Sequence, residues 1–293
     1  MITSTDIAAR SSLLHGLLAR RLAPKKLVWL NDSLAKITAG SRPSDLTVAI
    51  GLAPRKLGKS DLDPDVNDIR VARSIRPGLD VSGWSTDQTA RILFMLASWT
   101  GDETAFAERL DAIFQCGEIG EQIALLRGLP LYPAPQRLVE RAAEGVRSVM
   151  LPVFEAVAHC NPFPQEEFSQ AQWNQMVVKA QFIGSTLGPI QGLDGRRNAD
   201  LAVTLMDYVH ERWAAGRPVS PELWRCVGPF ARGEDIADMA KVLKDGSVGE
   251  VAAAALALSE CPRPEANAVL RTVPAMLAGI SSGQVTWSSI SQK

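Results

Sequence analysis

Apolar side chains recur every three to four residues through nearly the whole chain, and alternation with a period of two is almost absent. That periodicity is the strongest constraint on the fold, because a helix with one apolar stripe must bury it against other helices. Leu14, Leu17, Leu18 and Leu22 share a face of a first helix, with Thr5 the expected cap and Pro24 the interruption. Leu27, Leu30, Leu34 and Ile37 define a second helix that Gly40 stops. Residues 53–83, rich in Pro, Gly, Asp and Arg, predict an extended connection with at most one short element near 67–74. Helices are predicted at 85–99, 102–115, 119–127 and 136–160, the last bent at Pro152. Further helices follow at 166–184, 198–216, 221–227, 235–246, 248–261 and 264–279. The one strand candidate, 46–52, has no partner strand, and a lone strand leaves its backbone groups unpaired.

Short helices in pairs closed by Gly or Pro, best seen at 235–246 and 248–261, imply stacked hairpins of the HEAT or armadillo kind. The expected fold is all-α, an irregular α-solenoid or α-α superhelix. A compact helical bundle is the alternative, since no strict period runs through the chain. One all-helical domain over 1–293 is expected, with basic N-terminal helices and a linker (1–83), stacked hairpins (84–280) and a flexible tail (281–293).

At 46% hydrophobic and 22% charged residues the chain has the balance of a soluble globular protein. The formal net charge of −1 gives no reason to expect nucleic acid, and no basic stretch has interleaved aromatics. Charge is uneven, however: residues 1–59 hold ten Lys or Arg against three Asp. Such a segment suits peripheral contact with an anionic membrane surface or an acidic partner, or a solvated face cancelled by the rest of the protein. No secretory leader and no apolar run of the ~18 residues needed to cross a bilayer is evident. The four cysteines show no CxxC spacing and suit a reducing compartment, so the expected location is the cytoplasm, with the inner face of its membrane in reach.

Motifs for chemistry are sparse. Residues 53–60 (APRKLGKS) match a loose phosphate-loop pattern with Ala for the first Gly. Pro and two basic side chains stand where glycines would help, and Asp61, Asp63 and Asp65 follow; a basic surface turn is the simpler reading. His15, His159 and His210 have no metal-ligand spacing, so neither metal nor cofactor is expected.

Residues 159–230 are the informative stretch. Asn161 precedes Pro162 in a helix-stopping turn. Asn174 and Lys179 belong to a polar strip beside the apolar face of Trp173, Met176 and Val177. His210, Trp213 and Arg217 lie three and four residues apart, on one side of the next helix. Facing helices with these side chains could line a pocket for an anionic or aromatic small molecule. The same residues equally suit core packing and loop fastening, with Asp194 paired to Arg196 or Arg212.

The segments HCNPFP (159–164), WNQMVVKAQF (173–182), GLDGRRN (192–198) and YVHERWAAGR (208–217) resemble the EboA family of small bacterial biosynthetic gene clusters. Lesser echoes occur at 53–55, Gly58-Lys59 and 84–91. The turn departs from the family at Arg197, where a small residue is usual, so only Arg196 and Asn198 are carried over from it. The resemblance implies a helical scaffold or adaptor working in the traffic of secondary-metabolite precursors to or across the cytoplasmic membrane. Its implied partners are proteins of the same cluster, including a membrane prenyltransferase-like protein, and a small-molecule metabolite. It implies no catalytic residues. The alternative is an enzyme or carrier using Lys179, His210, Asp194 and Arg212 on an anionic or prenylated substrate.

Overall fold

The computed structural model describes residues 3–290, which form helices, turns and one isolated β-bridge between Asp61 and Ser85. The chain divides into two compact units, Met1–Phe168 and Ser169–Lys293.

In the first unit, α1 (Ser4–Arg21) starts two residues earlier than expected. Thr3, not Thr5, is the cap, because the Asp6 carboxylate three residues on accepts the Thr3 amide at 2.8 Å while Thr3 Oγ1 accepts the Asp6 amide. Pro24 opens α2 (Pro24–Ala39), and left-handed Gly40 closes it. The strand candidate is instead part of α3 (Ser44–Leu57), whose buried residues Leu46, Ala49, Ile50, Ala53 and Leu57 keep helical spacing. A short apolar run cannot distinguish strand from helix, and here the burial pattern decides. The phosphate-loop reading falls with it: 53–57 is the last turn of a helix, and no helix begins at Lys59-Ser60.

The linker then runs extended, pairing Leu62 N to Trp84 O at 2.8 Å and Thr86 N to Ser60 O at 2.9 Å. It carries α4 (Val66–Ile75) where the sequence predicts a short element. Next comes α5 (Thr86–Ala97), which packs against α1, α2, α3 and, farther along, α7 (Ile119–Arg127), the partner that follows α6 (Glu103–Cys116). Burial on nearly every side makes α5 the centre of this unit. Its buried Arg91 is satisfied by Asp87 at 3.2 Å, by the Ile50 carbonyl at 3.1 Å and by Glu121 at 4.0 Å.

The predicted bent helix 136–160 is two helices, α8 (Pro135–Arg147) and α9 (Leu151–Ala158), since Pro152 is favourable in a first turn and disruptive inside a helix. A short α10 (Phe163–Glu167) ends the unit. Part of the basic N-terminal charge is consumed locally: Arg20 pairs with Asp68, Arg21 with Asp63, and Lys26 Nζ donates to the Leu57 carbonyl at 2.6 Å.

The second unit opens with α11 (Gln170–Ile183), capped by Ser169 and closed by left-handed Gly184. A long connection containing α12 (Leu193–Arg196) leads to α13 (Ala199–Ala214), and a 3-10 turn at Pro221–Leu223 leads to α14 (Trp224–Val227). Two residues link α15 (Gly233–Asp245) to α16 (Val248–Glu260), a hairpin as predicted. The Ala-rich run Ala253–Leu258 is fully buried, and α16 packs on α14, on α15 and on α17 (Pro264–Leu270). The expected helix 264–279 is broken before α18 (Pro274–Ser281), because a proline restricts the residue before it. Within the expected tail, α19 (Trp287–Ile290) packs on α16, with Trp287 Nε1 donating to Glu260 at 2.6 Å; residues 291–293 lie outside the described residues. No described helix is long and apolar enough to cross a membrane.

Candidate functional site

The mid-chain side chains of the second unit meet in three separate groups rather than around one pocket. Trp173 is completely buried, and the Arg196 guanidinium lies 4.8 Å from its ring centroid. Burial there draws the Arg196 pKa below its ordinary value. Beside them Asn174 and Asn198 exchange amide hydrogen bonds of 3.2 and 2.8 Å. Asn198 also caps α13 by accepting the Leu201 amide at 3.0 Å. These contacts, with Tyr208 Oη donating to the Gln181 carbonyl, fasten α11 to α13.

The second group centres on Asp194. Its partner is neither Arg196 nor Arg212: both oxygens accept from Arg225, at 2.8 and 2.7 Å, and Arg197 approaches at 3.7 Å. Arg197, where the turn departs from the family pattern, also pairs with Glu260 and donates to the Arg225 carbonyl at 2.8 Å. Apart from the approach of Arg197 to Asp194, three residues away, no local spacing announces these contacts, because the partners are about 30 to 60 residues apart. The hydrogen bond from Arg225 holds the Asp194 carboxyl below the usual aspartate range. A depressed carboxylate pKa stabilises above the unfolded value and is lost as pH falls through the folded one. Asp194→Asn is therefore expected to destabilise at pH 7, with the difference from wild type closing as pH drops below the ordinary aspartate pKa. Urea denaturation at neutral and acid pH reads this directly; a pH-independent difference would remove the charge from the explanation.

The third group looks away from α11. His210 Nε2 is 2.7 Å from Asp238 on α15, and Lys241 reaches the same carboxylate at 2.7 Å. Burial raises the Asp238 pKa, but the hydrogen bonds from His210 and Lys241 outweigh it and hold the group below its ordinary value. Trp213, partly buried, packs with its ring tilted 43° to that of Trp224, centroids 6.1 Å apart, and borders a hollow with Lys241, Asp245 and Glu250. The His/Trp side of α13 thus faces α14 and α15, not the Asn/Lys strip of α11. Arg212 is spent on the Pro218 carbonyl at 2.9–3.0 Å. Arg217 lies past the end of α13, beyond left-handed Gly216, so it is not part of the predicted helical stripe. Lys179 is half-buried, with no hydrogen-bond or ion-pair partner among the described residues.

Asn161 belongs to the first unit and is structural. Buried, it donates to the Leu126 and Ala156 carbonyls and accepts the Phe163 amide, tying the turn after α9 to α7. The neighbouring Cys160 sits at φ 51°, and burial, followed by Asp80, pushes its thiol pKa up. In the second unit, burial drives the Cys226 thiol up to about 12. Neither environment favours a thiolate. Among the described residues no group of three or more His, Cys, Asp or Glu could hold a metal ion.

What the sequence did not reveal is a hollow of about 430 Å³ elsewhere in the second unit. Pro221, Val248, Ala252, Met276, Val285 and Ile290 supply its apolar walls. Glu222 stands at its edge, buried, with its carboxylate accepting the Leu187 amide at 2.7 Å and the Gly188 amide at 3.2 Å. The volume lies in the range of small-molecule sites, which are mainly apolar with few polar groups.

No curated protein and no solved structure gives a significant match to this chain. A family model described as "Metabolite traffic protein EboA" matches residues 10–228. That match spans well over half of the sequence and includes all four segments on which the resemblance was drawn, and the chain belongs to the EboA family.

Proposed function

We propose that this protein is a non-enzymatic binding protein that takes up a secondary-metabolite precursor with an apolar chain and presents it to a partner at the inner face of the cytoplasmic membrane. The observation that carries the reading is the 430 Å³ hollow beside α16, walled by apolar side chains and bordered by a carboxylate already satisfied by backbone amides. Family membership in metabolite traffic supports it. So does the fate of the residues an enzyme would need: Asp194, His210 and Arg212 are each bound to a different structural partner. The pairing of α15 with α16, and of α16 with α17, suits a stack of HEAT-like hairpins whose loops would receive a partner from the same gene cluster.

The test uses farnesol as an apolar-chain probe with the full-length protein, followed by isothermal titration. Saturable binding is expected, and Ala252→Phe, which fills the hollow, should weaken it at least about tenfold while helical content is retained. No binding to wild type, or equal binding to the variant, would defeat the proposal. Co-purification with the cluster's prenyltransferase-like membrane protein, absent when that protein is not expressed, tests the presenting role.

A further inference from the structure

Residues 1–59 hold ten basic side chains, and the structure divides them into two sets. Four are consumed inside the first unit. Arg10 is buried and donates to the Leu131 carbonyl, Arg20 pairs with Asp68, Arg21 with Asp63, and Lys26 donates to the Leu57 carbonyl. The other six are Lys25, Lys36, Arg42, Arg55, Lys56 and Lys59. All are exposed, and their side chains have no hydrogen-bond or ion-pair partner among the described residues. They lie on the α2–α3 hairpin or directly beside it, with Arg42 in its turn and Lys59 two residues past its end.

The hairpin presents these cations outward. Its helices pack on each other and both on α5, with Leu30 and Ile37 of α2 and Leu46, Ala49, Ile50, Ala53 and Leu57 of α3 buried. Helical spacing then places Lys25, Val28, Asp32 and Lys36 on the opposite side of α2, and Val48, Leu52 and Arg55 on the opposite side of α3. Val28 is 59% exposed and Val48 53%. The bond from Lys26 to the Leu57 carbonyl sets the start of α2 beside the end of α3. Lys25, Arg55, Lys56 and Lys59 therefore gather at one end of the hairpin, and Lys36 and Arg42 at the other. The acids do not cancel this charge. Asp63 and Asp68 are taken by Arg21 and Arg20, Asp6 and Asp65 cap α1 and α4, and Glu121, beside Gly51, lies against Arg91. Within 24–61 that leaves Asp32, Asp45 and Asp61, three carboxylates against the six free cations.

We propose that the outward face of the α2–α3 hairpin docks on an anionic lipid bilayer, its cations meeting the headgroups while Val28 and Val48 enter the interface between them. A bilayer fits this face better than an acidic protein does, for two reasons. The cations are unpartnered and spread over both ends of a helix about 24 Å long, which suits a laterally continuous negative surface and not one matched cluster of carboxylates. The valines standing among them gain from an interface that takes up apolar groups, as it does for amphipathic helices. The face belongs to the first unit, and its role does not depend on what the apolar hollow of the second unit binds.

The test is co-sedimentation of the full-length protein with vesicles of phosphatidylglycerol and phosphatidylcholine in equal parts. Binding is expected, weakened at least about tenfold by salt that screens the charges, with no binding to pure phosphatidylcholine. The triple variant Lys25→Gln, Arg55→Gln, Lys56→Gln should bind at least about tenfold more weakly. A matched control, Lys244→Gln, Arg263→Gln, Arg271→Gln, removes the same charge from exposed positions of the second unit and should bind as wild type does. Val28→Ser with Val48→Ser keeps every cation and should weaken binding about threefold. All these positions are exposed, and circular dichroism checks that each variant keeps its helices. Four results would each overturn the assignment: no binding to the anionic vesicles, equal binding to neutral ones, an equal loss in the control triple, or vesicle binding that the valine changes leave alone. Tighter binding to poly-glutamate than to the vesicles would overturn it in favour of an acidic protein. The vesicles carry neither metabolite nor partner protein, so failure here leaves the farnesol reading standing, and failure with farnesol leaves this one.

Discussion

Trp173→Ala is expected to destabilise the second unit by about 3–5 kcal/mol, as large-to-small substitutions in packed cores do. The ring has no exposed surface, and its Nε1 makes no hydrogen bond, so the loss is one of packing and not of a polar partner. Truncation leaves a void under Arg196, whose guanidinium lies over the indole face. Met176, Val177 and Ala180 share the buried face of α11 with Trp173. Chemical denaturation gives the magnitude, and hydrogen exchange should show protection lost first along α11 and α13. Trp213, only partly buried, should cost less when truncated, about 1–2 kcal/mol. An unchanged midpoint for Trp173→Ala would mean that the indole lines an open site instead.

Gly228→Ala should be nearly as damaging, about 3 kcal/mol, at the upper end of overpacking effects. The reason is close approach and not backbone freedom. A Cβ at this position would lie 2.4 Å from the Ala257 carbonyl oxygen and 2.7 Å from its Cα. Backbone of α16 cannot rotate aside as a side chain can, so the turn at Gly228–Phe230 would have to move off the helix. Gly233→Ala is the matched control: nothing lies within 4 Å of its would-be Cβ, and stability should hold or rise by up to ~1 kcal/mol. Thermal denaturation of the pair separates the two cases, and equal behaviour would show that the turn is not seated on α16.

Much of the helical layout was legible because helix limits are local properties. Gly40 and Gly184 stop helices in left-handed conformations, Asp102 and Asn198 cap them, and Pro24 opens one. The errors were local ambiguities as well. The stretch 46–52 is apolar enough to suit either period, and Pro152 reads as a bend or as a start until the chain around it is placed.

The candidate site was less legible, for a different reason. Asp194 offered Arg196 and Arg212 as neighbours in sequence, yet Arg225 takes both of its oxygens. His210 does lie beside Trp213, with ring centroids 6.3 Å apart, but Arg217 falls outside the helix, and the carboxylate that receives His210 is Asp238 on α15. Arg10 is one of the ten basic residues of 1–59, yet its spacing from Ile7, Leu13, Leu14 and Leu17 places it on the buried face of α1.

The sequence by itself determined that this protein is made of helices and, closely, where most of them begin and end, because caps, breakers and apolar period act over a few residues. Only the tertiary structure decided which charges are neutralised, where space is left between helices, and which cations have no counter-charge. Those outcomes depend on distances between groups tens of residues apart, which no local pattern encodes.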